Sequence, residues 1–387
     1  MLYKNTGNSA EFKGPVPVFA TGSKPEETVV RLRELQKRKG KDLAWYLLGF
    51  VVVQLGLAVG IDAYWTAIRD PEFAELLDIV RKRQAEAPCR PLVLVLGSSR
   101  TRGALRAESL NGPGDETRPL VINCGVNASF AMLQQVHLRR FLDAGIRPRA
   151  VFVEVMPRAL SARSGAALEE KRFWGARLSA AEAARVWNYF GEPYRLVMRW
   201  GPGRLLPIAT HRVELRDALA LDVPAAGWTG YAGGRDSYGW CSGPSKSSLQ
   251  ECARLTKECL NEYLPAITQP ALSPGAQQAI RDLVNLGRQE NIAVVLFIPS
   301  EASVFNSYAP DVAEGQSQAL HTLAHELGVP LIDTSDWIDE GGFWDGHHAT
   351  PEGANQYTSR FAGEALALGW PRLGHYHEVN MAPSKGP

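Results

Sequence analysis

Residues 91–100 read PLVLVLGSSR, and this stretch decides the class of fold. Five successive apolar residues followed by Gly-Ser-Ser are typical of a strand that is buried on both faces and runs into a tight turn. Two further runs have the same character, PLVINCGVN at residues 119–127 and RAVFVEVMP at residues 149–157. A helical pattern at residues 130–144 separates these two runs. The first half of the chain therefore predicts strands that alternate with helices.

The alternation resumes at residue 274. Predicted helices and strands follow one another at residues 274–289, 292–300, 311–327, 329–335 and 351–367. Strands that alternate with helices build a parallel sheet covered on both faces. Between the halves, residues 158–273 carry helical stretches at residues 167–189, 208–221 and 248–263. We interpret them as an inserted, mainly helical cap at the carboxyl end of the third strand, the sheet edge where α/β proteins bind ligands.

An aromatic, Gly-rich segment at residues 227–240 lies inside the insertion. Its four aromatic residues of interest are Trp228, Tyr231, Tyr238 and Trp240. These rings could stack on sugars at the mouth of a crevice. Alternatively, they pack the insertion against the sheet, because aromatic side chains dominate core burial.

Two serines, Ser98 and Ser99, follow the first strand. A serine on a strand-to-helix turn presents its hydroxyl at the sheet edge, beside backbone N–H groups that can bind an oxyanion. The sequence therefore makes Ser99 a candidate nucleophile. The alternative is that a serine in this turn only caps the following helix.

The candidate base lies near the end of the chain, in DGHHATPEG at residues 345–353. His348 follows Asp345 by three residues, in a loop that Pro351 joins to a helix. An imidazole held by a carboxylate and facing a serine is the arrangement of nucleophilic acyl transfer. His347 is the rival base, and a metal-binding or surface histidine pair is the alternative interpretation.

A third element is Asn127-Ala128, in the turn after the second strand. Backbone N–H groups in this turn could serve as oxyanion donors. The alternative is an ordinary tight turn. Because all three elements follow the carboxyl ends of parallel strands, one crevice would collect them.

With these motifs the chain resembles the SGNH (GDSL-like) hydrolase superfamily. The closing block Asp345-Gly346-His347-His348, with Gly353 five residues later, carries most of the likeness. The resemblance implies an SGNH/flavodoxin-like doubly wound parallel sheet, in which Ser99 is the nucleophile, His348 the base and Asp345 its orienter. A mechanism of this kind needs no metal and no organic cofactor. The GSSR opening resembles membrane-anchored SGNH-like proteins that accompany membrane-bound O-acyltransferases.

The chain departs from the family pattern at three places. Ser98 replaces the usual Asp, Ala128 replaces a Gly, and residues 154–158 lack the Asn block that supplies a side-chain oxyanion donor. The loss of one such donor typically costs about 10²–10³ in rate. A guanidinium of Arg100 or Arg158 could take its place, facing the oxyanion or an anionic substrate. Ordinary surface ion pairs are the alternative for both arginines.

Residues 43–61 form an uncharged apolar run of 19 residues in which Gln54 is the single polar side chain. This length reaches the range of a membrane-spanning helix. Its eleven Leu, Ile, Val and Phe residues contribute roughly −3 to −7 kcal/mol on the insertion scale, which should outweigh one uncharged Gln. The alternatives are a buried core helix and a cleaved signal peptide.

The flanks of this run predict its orientation. Six basic residues precede it: Arg31, Arg33, Lys37, Arg38, Lys39 and Lys41. In residues 62–80 the single basic residue is Arg69. The positive-inside rule therefore predicts a cytoplasmic N-terminus and a periplasmic or other extracytoplasmic catalytic domain at the cell membrane.

Composition limits the classes of function that remain. The formal net charge of +1 gives no reason to expect a nucleic-acid partner, and residues 1–41 hold nine basic residues against four Glu. This asymmetry fits a membrane boundary. The five cysteines have no metal-ligand spacing and do not settle the redox compartment.

These patterns predict six segments. They are a basic cytoplasmic tail (1–41), a transmembrane helix (42–63), a stalk or helix (64–87), the first half of the SGNH-like domain (88–157), the insertion (158–273) and the second half (274–387). We expect a membrane-anchored serine esterase or O-acyltransferase, acting on acyl esters, with acetyl foremost, of an extracytoplasmic polysaccharide or other acylated glycan. The alternative is a catalytically weak adaptor that partners a membrane-bound O-acyltransferase. A metal-dependent phosphodiesterase or nuclease built on the histidine pair is a third possibility.

Overall fold

A computed structural model describes residues 25–112, 118–163, 166–219, 234–244, 248–264 and 270–366. The chain divides into two compact units, Met1–Val53 and Gln54–Pro387. The described part of the first unit belongs to a single long helix. The second unit contains the sheet and everything packed on it.

Five parallel strands form the sheet. They are β1 (Leu92–Gly97), β2 (Leu120–Gly125), β3 (Ala150–Glu154), β4 (Ala293–Ile298) and β5 (Leu331–Asp333), in the order β2-β1-β3-β4-β5. All residues of the first three strands are buried, so both faces of the sheet are covered, as the continuous apolar runs predicted. The expected parallel sheet with helices is therefore confirmed. Reversal of strand order beside β1 and β3 creates the switch point where such sheets bind ligands.

Sixteen helices connect the strands within the described residues. They are α1 (Pro25–Ala63), α2 (Thr66–Arg69), α3 (Pro71–Glu86), α4 (Ser99–Ala104), α5 (Ala131–Asp143), α6 (Pro157–Leu160), α7 (Leu168–Arg172), α8 (Ala180–Val186), α9 (Pro193–Leu205), α10 (Pro207–Thr210), α11 (Arg212–Ala218), α12 (Leu249–Tyr263), α13 (Pro274–Gln289), α14 (Val304–Ser307), α15 (Pro310–Glu326) and α16 (Pro351–Arg360). Short 3₁₀ turns occupy Ala107–Leu110, Gly175–Arg177, Trp187–Tyr189 and Glu340–Gly342, and a π-helical turn, Phe361–Ala365, extends α16. Ala162–Arg163 and Ala166–Ala167 form a two-residue antiparallel ladder.

Two of the helical stretches expected in the insertion are each divided into shorter helices. Residues 167–189 contain α7 and α8 separated by a 3₁₀ turn, because Ser179 starts a new helix with a capping box that includes Glu182. The stretch expected at residues 208–221 contains α10 and α11, which meet at His211, and its last two residues lie outside the described part of the chain. Helix α9 was not predicted, because its Gly201-Pro202-Gly203 triplet reads as a helix breaker although Pro202 lies inside the helix.

One helix among the described residues is long and apolar enough to cross a membrane, the part of α1 from Lys37 to Ala63. A signal sequence or a core helix can pass the same test. Only 17% of its most apolar window is buried, which is far less than a core helix of a globular protein would bury.

A buried ion-pair cluster joins the start of the domain to the insertion. Asp70 is fully buried, caps α3 by accepting the Phe73 N–H, and forms a 2.6 Å ion pair with Arg140 of α5. Glu182 of α8 lies 2.7 Å from the same guanidinium. Burial would raise the pKa of Asp70, but His137 at 3.8 Å and the charges of the neighbouring arginines hold it well below its usual range. The cluster fixes α3, α5 and α8 to one another.

Glu169 of α7 is a buried carboxyl group, and no cation is among the groups that shift its pKa. Its carboxylate accepts a 2.6 Å hydrogen bond from the Met132 N–H at the start of α5. Burial raises the pKa of Glu169 to about 8, and the backbone hydrogen bonds only partly oppose this rise. The native protein therefore keeps a proton that the unfolded chain releases near pH 4.5.

We expect Glu169→Gln to remove a pH-dependent loss of stability. Because the folded pKa is raised, the proton's stabilising contribution is complete below pH 4.5 and is lost as the pH rises through about 8. Between pH 4.5 and about pH 8, the difference between the free energy of unfolding of the variant and that of the natural chain should therefore increase, by at most about 5 kcal/mol. Urea unfolding of the full chain in detergent across this pH range measures the difference. Glu258→Gln on the exposed face of α12 is the control, and parallel curves for Glu169→Gln and the natural chain would contradict a buried proton.

Candidate active site

The two serines of the turn after β1, Ser98 and Ser99, have different roles in the structure. Ser98 is the N-cap of α4, and its hydroxyl oxygen accepts the Arg100 N–H at 3.2 Å. Ser99 is the first residue of the helix. The capping role considered for this turn therefore falls to Ser98, and it leaves the Ser99 hydroxyl for another partner.

That partner is His348. The Ser99 Oγ lies 2.8 Å from His348 Nε2, and His348 Nδ1 lies 2.7 Å from Asp345 Oδ2. The structure therefore brings together the three residues that the sequence singled out, in the order hydroxyl, imidazole, carboxylate. Burial would raise the pKa of Asp345, but the adjacent His348 holds it well below its usual range. The carboxylate stays charged and orients the imidazole.

The loop that carries the histidine is built to hold one ring orientation. Asp345 Oδ1 accepts the backbone N–H of His348 at 2.8 Å, and the Trp344 N–H donates to the His348 carbonyl at 3.1 Å. Gly346 has φ of 84°, a left-handed conformation that favours glycine. The Trp344 ring stacks on His348 at 5.3 Å between centroids with an interplanar angle of 13°. These contacts leave the imidazole little rotational freedom.

His347, the rival base, faces another way. It is buried, and its ring contacts the edges of Tyr263 and Phe305 at centroid distances of 5.6 and 5.9 Å. Burial, reinforced by the neighbouring His348, lowers its pKa well below the usual value, so the ring is neutral. The histidine in contact with Ser99 is His348.

Glu154 at the end of β3 fixes the Ser98–Ser99 turn, and no sequence motif had indicated this role. Its carboxylate accepts the Ser98 hydroxyl at 2.6 Å, the Ser98 N–H at 2.9 Å and the Thr101 hydroxyl at 2.5 Å. A Cβ on Gly97 would lie 2.6 Å from a Glu154 oxygen, so only glycine permits this approach. The signal was a charged residue closing an otherwise apolar strand. Ser98 therefore binds a carboxylate supplied by a different strand.

The turn after β2 lies beside the Ser98–Ser99 turn, because the Val126 N–H donates to the Gly97 carbonyl at 2.8 Å. Ala128 has φ of 54°, a left-handed conformation that favours glycine. Asn127 Oδ1 is buried and has no hydrogen-bond partner among the described residues. An oxyanion-binding role for Asn127 and Ala128 stays a prediction.

Arg100 and Arg158 share one buried carboxylate. Arg100 Nη1 lies 3.0 Å from Glu301, Arg158 binds the other oxygen of Glu301, and Arg158 also donates to Asn306 Oδ1 at 2.6 Å. Burial would raise the pKa of Glu301, but the two guanidinium charges lower it. Both arginines form ion pairs, as the alternative interpretation of the sequence expected. These pairs are buried, however, and do not lie at the surface. A direct oxyanion or substrate role for either arginine stays a prediction.

Helix α12 of the insertion packs on the histidine loop. Cys259 Sγ lies 3.9 Å from Asp345 Oδ2, and a Cβ on Gly346 would lie 2.7 Å from the Thr256 methyl group. The insertion therefore covers one side of the site, although the sequence had not assigned these residues a role. The sequence did not indicate the contact between Cys259 and Asp345, because the two residues are distant in the chain.

The aromatic segment is described in part. The Trp240 indole N–H donates to the Gly103 carbonyl at 2.7 Å, and the Asn123 N–H donates to the Tyr238 carbonyl at 2.9 Å. These two residues pack the insertion against α4 and β2. Trp228 and Tyr231 lie outside the described residues.

One group of side chains near the site could hold a metal ion, Cys259, Asp345 and His347, whose ligand atoms lie within 4.8 Å of one another. Burial raises the pKa of the Cys259 thiol to about 12, which disfavours the thiolate that a metal would bind. Asp345 Oδ2 is also committed to His348. The donor set therefore fits hydrogen bonding better than ligation.

Comparisons with known proteins give a fold-level likeness. No protein-family profile and no curated protein sequence matches the chain. Among solved structures, a protein described as an acylhydrolase from Bacteroides fragilis is 12% identical, with 76% of this chain and 94% of that chain covered and a TM-score of 0.35. A GDSL-like lipase from Bacteroides thetaiotaomicron is 11% identical, with 76% and 100% covered and a TM-score of 0.34. A lipase/acylhydrolase from Enterococcus faecalis is 11% identical, with 72% and 96% covered and a TM-score of 0.32.

These neighbours are consistently described as acylhydrolases or GDSL-like lipases. At TM-scores below 0.5 and identities of 11–12%, the likeness establishes neither family nor activity. The functional assignment therefore depends on the geometry of the chain's own residues.

We expect Glu154→Gln to destabilise the fold by about 3 kcal/mol, because an amide nitrogen would face buried donors that now bind a charged acceptor. Thermal or urea unfolding of the full chain measures the loss. Glu258→Gln, an exposed change of the same chemistry on α12, serves as the matched control. Equal stabilities for the two variants would show that the Glu154 carboxylate does not hold the turn.

Proposed function

We propose that the chain is a membrane-anchored serine hydrolase or O-acyltransferase that cleaves acyl esters. The proposal rests on one observation, the chain of hydrogen bonds from Ser99 through His348 to Asp345. A buried carboxylate, a ring fixed on both sides and a hydroxyl at hydrogen-bond distance form the arrangement needed for nucleophilic acyl transfer.

In the first half-reaction Ser99 Oγ attacks the ester carbonyl carbon while His348 Nε2 removes the hydroxyl proton. Asp345 accepts the Nδ1–H and stabilises the imidazolium that forms. The tetrahedral intermediate collapses as the C–O bond to the leaving alcohol breaks, and His348 returns the proton to that alcohol. Ser99 then carries the acyl group as an ester.

In the second half-reaction a hydroxyl group attacks the acyl-serine, and His348 takes its proton. With water the product is a carboxylic acid, whereas with a glycan hydroxyl it is a new ester. Both routes regenerate the Ser99 hydroxyl with the proton from His348. The site chemistry is common to hydrolase and transferase, so the acceptor decides between them.

Backbone donors supply the oxyanion site in this mechanism. The Ser99 N–H lies in the first turn of α4, where helix N–H groups have no intrahelical partner. The turn at Ala128 is the second source. Because residues 154–158 lack an Asn donor, a slower enzyme than a fully equipped relative is expected, by about 10²–10³.

The substrate and location are inferred from the sequence. The GSSR opening and the N-terminal apolar helix resemble membrane-anchored proteins that serve O-acyltransferase systems. This supports an acetylated surface polysaccharide as substrate and a membrane-bound O-acyltransferase as partner. The basic flank of α1 supports a cytoplasmic N-terminus and an extracytoplasmic site.

The two adjacent histidines allow a matched test. We expect Ser99→Ala and His348→Gln each to lower the rate of p-nitrophenyl acetate hydrolysis by about 10³-fold or more, because each removes a member of one catalytic unit. His347→Gln should retain most of the rate, since this ring has no described contact with Ser99. Purified full chain in detergent is assayed, with folding checked by circular dichroism. Equal losses in His347→Gln and His348→Gln would refute the assignment of the base.

A second candidate function is an adaptor with little catalysis of its own. It is favoured by the missing Asn donor and by the engagement of Arg100 and Arg158 with Glu301. The adaptor predicts that Ser99→Ala leaves polymer acylation in cells unchanged. The enzyme predicts that the same variant abolishes it while the protein remains at normal abundance.

A further inference from the structure

Exposed apolar side chains are concentrated in one part of the insertion. Outside α1 and the two residues that follow it, the described segments have eleven exposed large hydrophobic residues. Nine of these eleven lie between Trp174 and Leu219. Seven of them lie on or directly beside α9, α10 and α11: Tyr194, Val197, Met198, Leu205, Leu206, Ile208 and Leu219. Soluble surfaces rarely gather so many apolar groups without a partner. We call residues 193–219 the arm.

The arm runs alongside the last turns of α1. The Ile208 N–H donates to Gln54 Oε1 at 3.5 Å, and Arg204 forms a 2.7 Å ion pair with Asp62. Gln54 lies nine residues before Ala63, where α1 ends, which corresponds to about 13 Å along a helix axis. The hydrocarbon layer of a membrane is about 30 Å thick. We call residues 205–210 the tip of the arm. The tip therefore lies beside Gln54, in a part of α1 well inside the length expected to span a bilayer.

The backbone N–H groups at this tip have partners inside the protein. Leu206 N–H donates to the Pro202 carbonyl, Ala209 and Thr210 N–H donate to the Leu206 carbonyl, and Pro207 has no N–H. The remaining donor, Ile208 N–H, binds Gln54. Internal pairing of the donors suits a bilayer, because lipid offers no hydrogen bonds. It also explains why an apolar helix carries one polar residue, 3% exposed, at position 54.

Charge points to the same partner. The arm contains five arginines, Arg195, Arg199, Arg204, Arg212 and Arg216, against Glu214 and Asp217, a net charge of +3. Arginine beside apolar groups suits the boundary between acyl chains and anionic headgroups, since the long side chain reaches outward while its stem stays in lipid.

We propose that α9, α10 and α11 are a second membrane-seated element, inserted into one leaflet of the bilayer that α1 crosses and bound to anionic lipid. Leu205, Leu206 and Ile208 enter the acyl region. Arg199 and Arg212, whose described hydrogen bonds go to backbone carbonyls, meet the headgroups, whereas Arg195, Arg204 and Arg216 are paired with Glu192, Asp62 and Asp217. The inference rests on the proposed membrane span of α1. A cavity of about 940 Å³ lies between the end of α1, at Leu57, Tyr64 and Trp65, and the last helix of the arm, at Leu215 and Leu219.

Lipid-side quenching of a fluorescent label tests the proposal. The full chain, with Cys89, Cys252 and Cys259 replaced by Ser, receives one new cysteine for a nitrobenzoxadiazole label and is reconstituted in phosphatidylcholine–phosphatidylglycerol vesicles. Leu206→Cys reports the arm. A nitroxide on the lipid acyl chain quenches only labels inside the bilayer, and iodide quenches labels in water.

Two control positions separate the possible failures. Val52→Cys reports α1, and Leu249→Cys, 89% exposed at the start of α12, reports the aqueous domain. We expect the lipid nitroxide to quench the labels of Leu206→Cys and Val52→Cys at least about threefold more strongly than that of Leu249→Cys, with iodide giving the reverse order. Met198→Cys, 70% exposed on α9, is the second arm position if Leu206→Cys does not fold.

The outcomes are distinct. Lipid quenching at Val52→Cys combined with iodide quenching at Leu206→Cys and Met198→Cys would overturn the membrane-seated arm and leave the anchor intact. Iodide quenching at Val52→Cys as well would overturn the anchor, and with it both the arm and the proposed location of the enzyme. Lipid quenching at the arm that disappears when phosphatidylglycerol is omitted would support the anionic-lipid contact.

Discussion

The carboxylate of Glu154 holds the turn on which the whole site depends. It accepts hydrogen bonds from the N–H and hydroxyl of Ser98 and from Thr101, and so joins the ends of β1 and β3. Parallel pairing of these two strands brings the groups to one edge. With Ser98 committed to capping α4 and binding Glu154, the next residue, Ser99, is left to face His348. Ser99, the proposed nucleophile, is therefore held in place by hydrogen bonds of its neighbour Ser98 to Glu154.

Buried charges organise the surroundings of this edge. Glu301 between Arg100 and Arg158 links the nucleophile turn to the loops after β3 and β4, and Asp70 with Arg140 links α3 to α5. Such pairs are costly to bury, yet breaking one by removing a single partner is strongly destabilising because the other charge remains buried. They fix the relative positions of elements that the sheet alone would not fix. The insertion adds Cys259 of α12 against Asp345.

The same insertion carries two unlike surfaces. Its α12 lies against the histidine loop, while its α9–α11 arm presents apolar side chains beside the end of α1. A catalytic unit attached to a bilayer by both α1 and the arm would rotate less than one attached by a single helix. Under the proposed function on a surface polymer, a restricted orientation would keep the crevice accessible to substrate on one side.

Local sequence patterns were sufficient to predict the sheet and the pairing of Asp345 with His348 on one loop. Continuous apolar runs predicted β1 to β4, because strands buried on both faces cannot alternate, and the three-residue spacing of Asp345 and His348 placed orienter and base on one loop. Tertiary structure alone decided that His348 rather than His347 contacts Ser99, that Glu154 binds Ser98 and that Gln54 meets Ile208. These partners are 249, 56 and 154 residues apart. Periodicity and spacing report only on neighbours in the chain, whereas contacts at such separations are set by how the strands, helices and insertion pack together.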